Sequence, residues 1–154
     1  RERIDVGKIS GGNFVIFYAK SLSRDIKIVS PDNAYAITPI SPQTEIYLCN
    51  FRPLEVQLEI GARASFFMPQ DGRFELIVHS PMHQSLINKL LFKSNARVFG
   101  DYTIMPFSKI RLEPIDPEKD ERILLDSDKV IKPPVDIEVL PRHIKIIVGG
   151  ERKF

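Results

Sequence analysis

Apolar and polar residues alternate with a period of two along much of the chain, the spacing of a strand with one buried and one wet face. Leu54, Val56, Leu58 and Ile60 are expected to face inward, with Glu55, Gln57 and Glu59 in water. The same alternation places Ile4 and Val6 inside around a wet Asp5, Ile26 and Ile28 around Lys27, and Ile110 and Leu112 around Arg111. Towards the end it recurs as Ile137 and Val139 around Glu138, then Ile144 and Ile146 around Lys145. A slip of one residue would expose a whole apolar set, so register is well specified. Ser10-Gly11-Gly12-Asn13, Ser30-Pro31-Asp32-Asn33 and Pro69-Gln70-Asp71-Gly72 supply turn chemistry between these runs. Many short strands joined in this way predict a mainly β domain, an antiparallel β-sandwich.

One segment departs from the alternation. Ser80 can cap, Pro81 suits a first helical position, and Met82, Leu86, Ile87, Leu90 and Leu91 share one face, which predicts a single short helix from about Pro81 to Lys93. The proline- and charge-rich stretch Glu113 to Glu121 reads as an exposed loop. No internal repeat appears, and residues 1–154 are expected to form one domain.

Composition narrows the classes. Lys and Arg total 22 against 20 Asp and Glu, with the charges scattered, so no dense basic stripe points to nucleic acid. A lone cysteine, Cys49, cannot form an internal disulfide, which suits a reducing, cytoplasmic setting. No apolar run approaches the length of a membrane-spanning helix and no signal-peptide pattern opens the chain. The chain starts at Arg1 without Met, which implies that some sequence upstream is missing.

Few residues offer chemistry by themselves. His79 and His83 have the spacing of a helical zinc pair, but Pro81 lies between them and no third ligand is evident, so boundary histidines are the simpler reading; His143 stands alone. Cys49 beside Leu48 reads as a small buried hydrophobe. No Gly-x-Ser-x-Gly elbow is present, and Gly7, Gly11 and Gly12 belong to a hairpin and open no phosphate-binding helix. The cluster Asp126-Ser127-Asp128 follows an expected strand, Arg122 to Leu125. A carboxylate at a strand end can act as a general base, although the residues alone favour a solvated turn.

Several segments, taken in order, resemble the C-terminal domain of the diacylglycerol and sphingosine kinase superfamily of lipid kinases. They are Ile4 to Phe14, similar to an opening hairpin; Tyr47-Leu48-Cys49-Asn50, similar to a strand ending in Asn; Asp71-Gly72-Arg73-Phe74-Glu75-Leu76-Ile77-Val78; and Val135 to Val148, similar to a terminal hairpin with a Val-Leu-Pro corner. The resemblance implies a β-sandwich beside a nucleotide-binding domain, upstream or in trans, which would hold ATP and Mg²⁺. It further implies a membrane lipid hydroxyl as acceptor, with Asn50, Asp71 and Gly72 at substrate-binding positions. The family's Asp-Gly-Glu segment falls on Asp126-Ser127-Asp128, making Asp128 the implied base with Asp126 beside it. Ser127 replaces Gly, Asp128 is a methylene shorter than Glu, and the Gly-Gly-Asp-Gly-Thr phosphate loop is missing.

Ile37-Thr38-Pro39-Ile40-Ser41-Pro42 followed by Arg52-Pro53-Leu54 also looks like the C-terminal half of NAD kinases, at a longer spacing than that family shows. The alternative from another class is a stand-alone, non-catalytic β module that binds a protein or forms a homo-oligomer through a sheet edge. A lipid substrate implies a cytoplasmic protein working peripherally at a membrane.

Overall fold

A computed structural model describes residues 2–22, 25–31, 36–38, 43–60, 69–80 and 97–147. The strands are β1 (Glu2–Ile9), β2 (Asn13–Val15), β3 (Tyr18–Ser21), β4 (Ile26–Val29), β5 (Ala36–Ile37), β6 (Glu45–Cys49), β7 (Phe74–His79), β8 (Arg97–Phe99), β9 (Tyr102–Phe107), β10 (Lys109–Pro114), β11 (Ile123–Leu125), β12 (Lys129–Ile131) and β13 (Val135–Ile146). A helix, α1 (Leu54–Ile60), follows β6. Among the described residues the strands form two antiparallel sheets. One has the order β2-β1-β13-β10-β4-β5 and the other β12-β11-β3-β6-β7-β9-β8. Their facing sides share one core, with Ile9, Ile28, Ile110, Leu112 and Ile137 from the first sheet meeting Leu48, Phe74, Leu76, Phe107, Ile123 and Leu125 from the second. The predicted β-sandwich is the observed architecture.

Alternation holds where a strand has one wet face. Ile26, Ile28, Ile110, Leu112, Ile137 and Val139 are buried while Glu138 is exposed. On the outer face of the six-stranded sheet, Lys27, Glu113, Arg111 and Asp136 form a cross-strand ladder of ion pairs at 2.7 to 2.9 Å. Packing around Gly7 is tight. A Cβ there would lie 2.5 Å from Val15 Cγ1 and 3.0 Å from Phe74 Cε2, so only hydrogen fits.

Four expectations change. Leu54 to Ile60 is a helix, not a strand. Pro53 lacks the N–H that a helix start leaves unpaired, its carbonyl accepts the Gln57 amide at 3.0 Å, and the Gln57 side chain donates to Arg52 O at 2.7 Å. Val56 and Ile60, one turn apart, close over Tyr47, Cys49, Ile77 and Ile104 on the outer face of the seven-stranded sheet. Leu54 and Leu58 consequently point outward, 68% and 74% exposed. Asp5 is fully buried, because the β1/β13 register shifts between Ile4 and Val6 and turns its carboxylate into the fold. Val135 to Ile146 is one strand kinked by a bulge, not a hairpin: Val6 pairs with Leu140 and Ile4 with Ile144, with Arg142 at a φ of 50° between them. The loop predicted from Glu113 begins two residues later, since Glu113 and Pro114 pair with Lys27 and Ile26. The helix expected from Pro81 to Lys93 lies outside the described residues, as do Asp32 and Asn33 of the Ser30–Asn33 turn.

Candidate functional site

The Asp-Ser-Asp segment makes the tight turn between β11 and β12, with Leu125 paired to Lys129. Asp126 and Ser127 both have positive φ, 47° and 69°, a region that costs a side-chain-bearing residue about 1 kcal/mol. Local bonding offsets that cost. Asp126 Oδ1 accepts the amides of Phe17 and Tyr18 at 2.8 and 3.0 Å, and Oδ2 accepts that of Ile16 at 2.8 Å. The Asp126 amide donates to Tyr18 O at 2.9 Å. Ser127 Oγ and the Tyr18 hydroxyl share a hydrogen bond of 2.8 Å. Three successive amides converging on one carboxylate form a small anion nest, and Asp126 fills it. Asp128 donates its amide to Leu125 O at 3.1 Å, and its exposed carboxylate makes no hydrogen bond among the described residues.

Asn50 reaches the same turn from the other side. Its backbone amide donates to Phe17 O at 2.8 Å, and Nδ2 donates to Ile16 O at 2.9 Å and to Asp5 O at 2.7 Å. These two donor bonds fix the amide's orientation and leave Oδ1 buried without a partner. The Asp5 carboxylate continues the seam, accepting the Gly72 amide at 2.7 Å and the Arg142 amide at 2.8 Å. Gly72 sits at a φ of 76°, which a side chain would strain. Asp71 is exposed and accepts the Arg73 amide at 2.9 Å. Desolvation of its carboxyl, reinforced by the charge of Asp5, pushes it above the usual carboxylate range.

A second polar group lies on the outer face of the seven-stranded sheet. Glu45 pairs with Lys20 at 2.9 Å, accepts the Tyr47 hydroxyl at 3.2 Å, and lies 3.5 Å from His79 Nδ1. Burial works against the Glu45 charge, but the Lys20 ammonium outweighs it and holds the carboxyl below its ordinary value. The His79 ring stacks on Tyr102 at 4.3 Å, and the Tyr102 hydroxyl donates to Glu59 at 2.6 Å. A cavity of about 280 Å³, lined by Glu59, Ile60, Phe99, Gly100, Asp101 and Tyr102, opens beside this group. By strand order and register it occupies the corner of the sheet diagonally opposite Asp126.

The structure therefore joins Asp126, Asn50 and Gly72 through one hydrogen-bonded seam, with Asp71 adjoining Gly72 and Asp128 at its solvent end. Sequence reasoning missed Asp5, the hub of that seam, although it stands inside the Ile4-Asp5-Val6-Gly7 segment that carries the resemblance. It also missed the Ile16 to Tyr18 amides, which have no side-chain signature. Cys49 is fully buried as expected, and burial pushes its thiol well up. His79 ends β7 as expected, and His83 is outside the described residues. Among the described residues no three metal-ligating side chains come together, and Gly11 and Gly12 occupy the β1–β2 turn. These described residues do not fit a site for ATP or Mg²⁺. No described helix is long and apolar enough to cross a membrane.

The sandwich has a diacylglycerol kinase-like fold, as the resemblance implied. A crystal structure of a diacylglycerol kinase from Bacillus anthracis str. Sterne superposes on 92% of this chain with a TM-score of 0.58 and 15% identity, using 52% of its own length. Two further structures from that strain, also bearing diacylglycerol kinase in their names, cover 92% of the chain at TM-scores of 0.58 and 0.56, with 16% and 13% identity. The chain spans about half the length of these structures, 52% to 55%, and at such identities the likeness is one of fold. No protein-family model matches the chain, and no curated protein matches it either.

Proposed function

We propose that this chain is the β-sandwich domain of a lipid-kinase-like protein and contributes to ATP-dependent phosphorylation of a lipid hydroxyl. The observation that carries the reading is the fixed corner at Asp126. A carboxylate engaged by three amides is a positioning group. It sets a rigid turn from which Asp128 projects into solvent, free to accept a proton. In this reading Asp128 is the base toward the lipid hydroxyl, Asn50 and Gly72 hold the floor of the acceptor site, and Asp71 lies at its edge. In this reading ATP and Mg²⁺ are held by a nucleotide-binding domain, upstream or in trans.

The test is to incubate the full-length natural protein with ATP and either diacylglycerol or a sphingoid base and to look for phosphorylated lipid. Asp128→Ala is expected to lower turnover by about a hundredfold or more, the range for loss of a general base. Turnover unchanged by that substitution removes Asp128 from its role. A second reading, a non-catalytic β module, is favoured by Val130 on β12 and Val98 on β8. These lie on the two outermost strands of the seven-stranded sheet and are 49% and 44% exposed. A stable homo-oligomer indifferent to ATP in light scattering supports that module.

A further inference from the structure

The outer face of the six-stranded sheet balances its charges almost everywhere. Lys27, Glu113, Arg111 and Asp136 alternate in sign across β4, β10 and β13, and Lys8 faces Glu138. At one end the rule breaks. Arg3 on β1 lies directly opposite Lys145 on β13. Ile4 beside Arg3 is buried and Ile144 beside Lys145 is half-buried, while Arg3 and Lys145 are both exposed. Like charges directly opposite destabilise a sheet, and among the described residues no carboxylate answers either cation. Glu2, the adjacent acid, accepts from Gln70 instead.

Apolar and aromatic groups flank the two cations. Along β13 the outward positions alternate as His143, Lys145 and then Ile147, just past the strand, which is 86% exposed. His143 stacks on Phe14 of β2 with ring centroids 6.5 Å apart, and Phe14 is itself 48% exposed. We infer that Arg3, Lys145, Phe14 and Ile147 form a docking surface for an anionic lipid bilayer. Unanswered cations are attracted to acidic headgroups, and a bare isoleucine and phenylalanine are rewarded by entering the acyl boundary. A nucleic acid would satisfy the cations but give Ile147 nothing, and the chain's net charge of +2 adds little non-specific attraction to a polyanion. The surface is independent of the proposed phosphoryl transfer.

The experiment is co-sedimentation of the full chain, without ATP, with vesicles of phosphatidylcholine alone and of phosphatidylcholine and phosphatidylserine in equal parts. Binding is expected to the mixed vesicles only and to fall with salt. Neutralising Arg3→Gln or Lys145→Gln is expected to cost about fivefold each, and Ile147→Ser is expected to weaken vesicle binding as well. The double Gln variant should unfold at the parent temperature or above it, since it relieves a like-charge pair, which separates lost binding from lost folding. No binding to the mixed vesicles, or binding that the Gln variants leave unchanged, overturns the inference. So does RNA binding as tight as vesicle binding with Ile147→Ser neutral to both, which assigns the surface to nucleic acid. Vesicle binding without lipid phosphorylation leaves this surface standing and counts only against the kinase reading.

Discussion

Asp126 and Asn50 grip one short stretch of backbone from its two polar sides. The carboxylate accepts the amides of Ile16, Phe17 and Tyr18, while the Asn50 side chain donates to the carbonyl of Ile16. The turn between β2 and β3 is thereby set by residues far away in sequence, and the corner carrying Asp128 inherits its position.

Asp126→Ala strips three amides of a charged acceptor. Hydrogen bonds to charged groups contribute about 1.5 to 3 kcal/mol and do not add fully, so a loss of about 3 kcal/mol is expected in urea unfolding. Asp128→Ala should change stability by less than about 0.5 kcal/mol. The two substitutions thus separate the structural from the chemical carboxylate: equal destabilisation would count against the division of roles.

Gly7→Ala places a methyl 2.5 Å from Val15 Cγ1, 3.0 Å from Phe74 Cε2 and 3.3 Å from Ile137 Cγ2, all inside the core. Overpacking of this kind costs about 1 to 3 kcal/mol. A lowered midpoint in thermal denaturation is the expected result, and Val15→Ala in the same chain should recover part of it.

Arg52 forks onto Glu75 through two bonds of 2.6 Å, with side chains only 11% and 13% exposed. Removing one partner leaves the other charged in a nearly dry place, so Arg52→Met alone should destabilise by about 3 kcal/mol. Replacing both with Met should cost clearly less than the two single changes together, a coupling that a double-mutant cycle measures directly.

Alkaline pH should weaken the fold. Burial lifts the Tyr47, Tyr102 and Cys49 groups above their ordinary values, with Glu59 adding to Tyr102. Burial opposes the Lys20 charge, but its bonds to Tyr47 and Glu45 prevail and raise it too. Each group holds its proton longer folded than unfolded, so its contribution is complete below the unfolded value and lost as pH climbs through the folded one. Unfolded thiol, phenol and ammonium groups titrate from about pH 8.5 to about 10.4, so the thermal midpoint should start to drop in that range. Tyr102→Phe should flatten the decline. Glu45 acts with the opposite sign, contributing above its unfolded value and losing that contribution in acid.

Strands with one wet face were legible because alternation reports burial directly, as at Ile26-Lys27-Ile28 and Ile137-Glu138-Val139. Leu54 to Ile60 misled because seven residues alternating in polarity also contain Val56 and Ile60 at helical spacing. Pro53, the early Glu55 and the good helix formers Leu and Gln were the signals in favour of helix. Asp5 was illegible for a different reason: a bulge depends on the partner strand, some 140 residues away, and nothing local to Ile4-Asp5-Val6 reveals it. The turn at Asp126-Ser127-Asp128 could be read as a turn, but its grip on Ile16 to Tyr18 lies in backbone amides that carry no identity.

The last described strand, β13, lies between β1 and β10 in the interior of its sheet. On the ribosome, β1 is made well before β13 and has no neighbour on that side until Val135 to Ile146 has been made. A chain stopped short of that segment would be split through the middle of one layer, not trimmed at its rim. Early termination here should leave a sticky, half-built product and not a smaller working one.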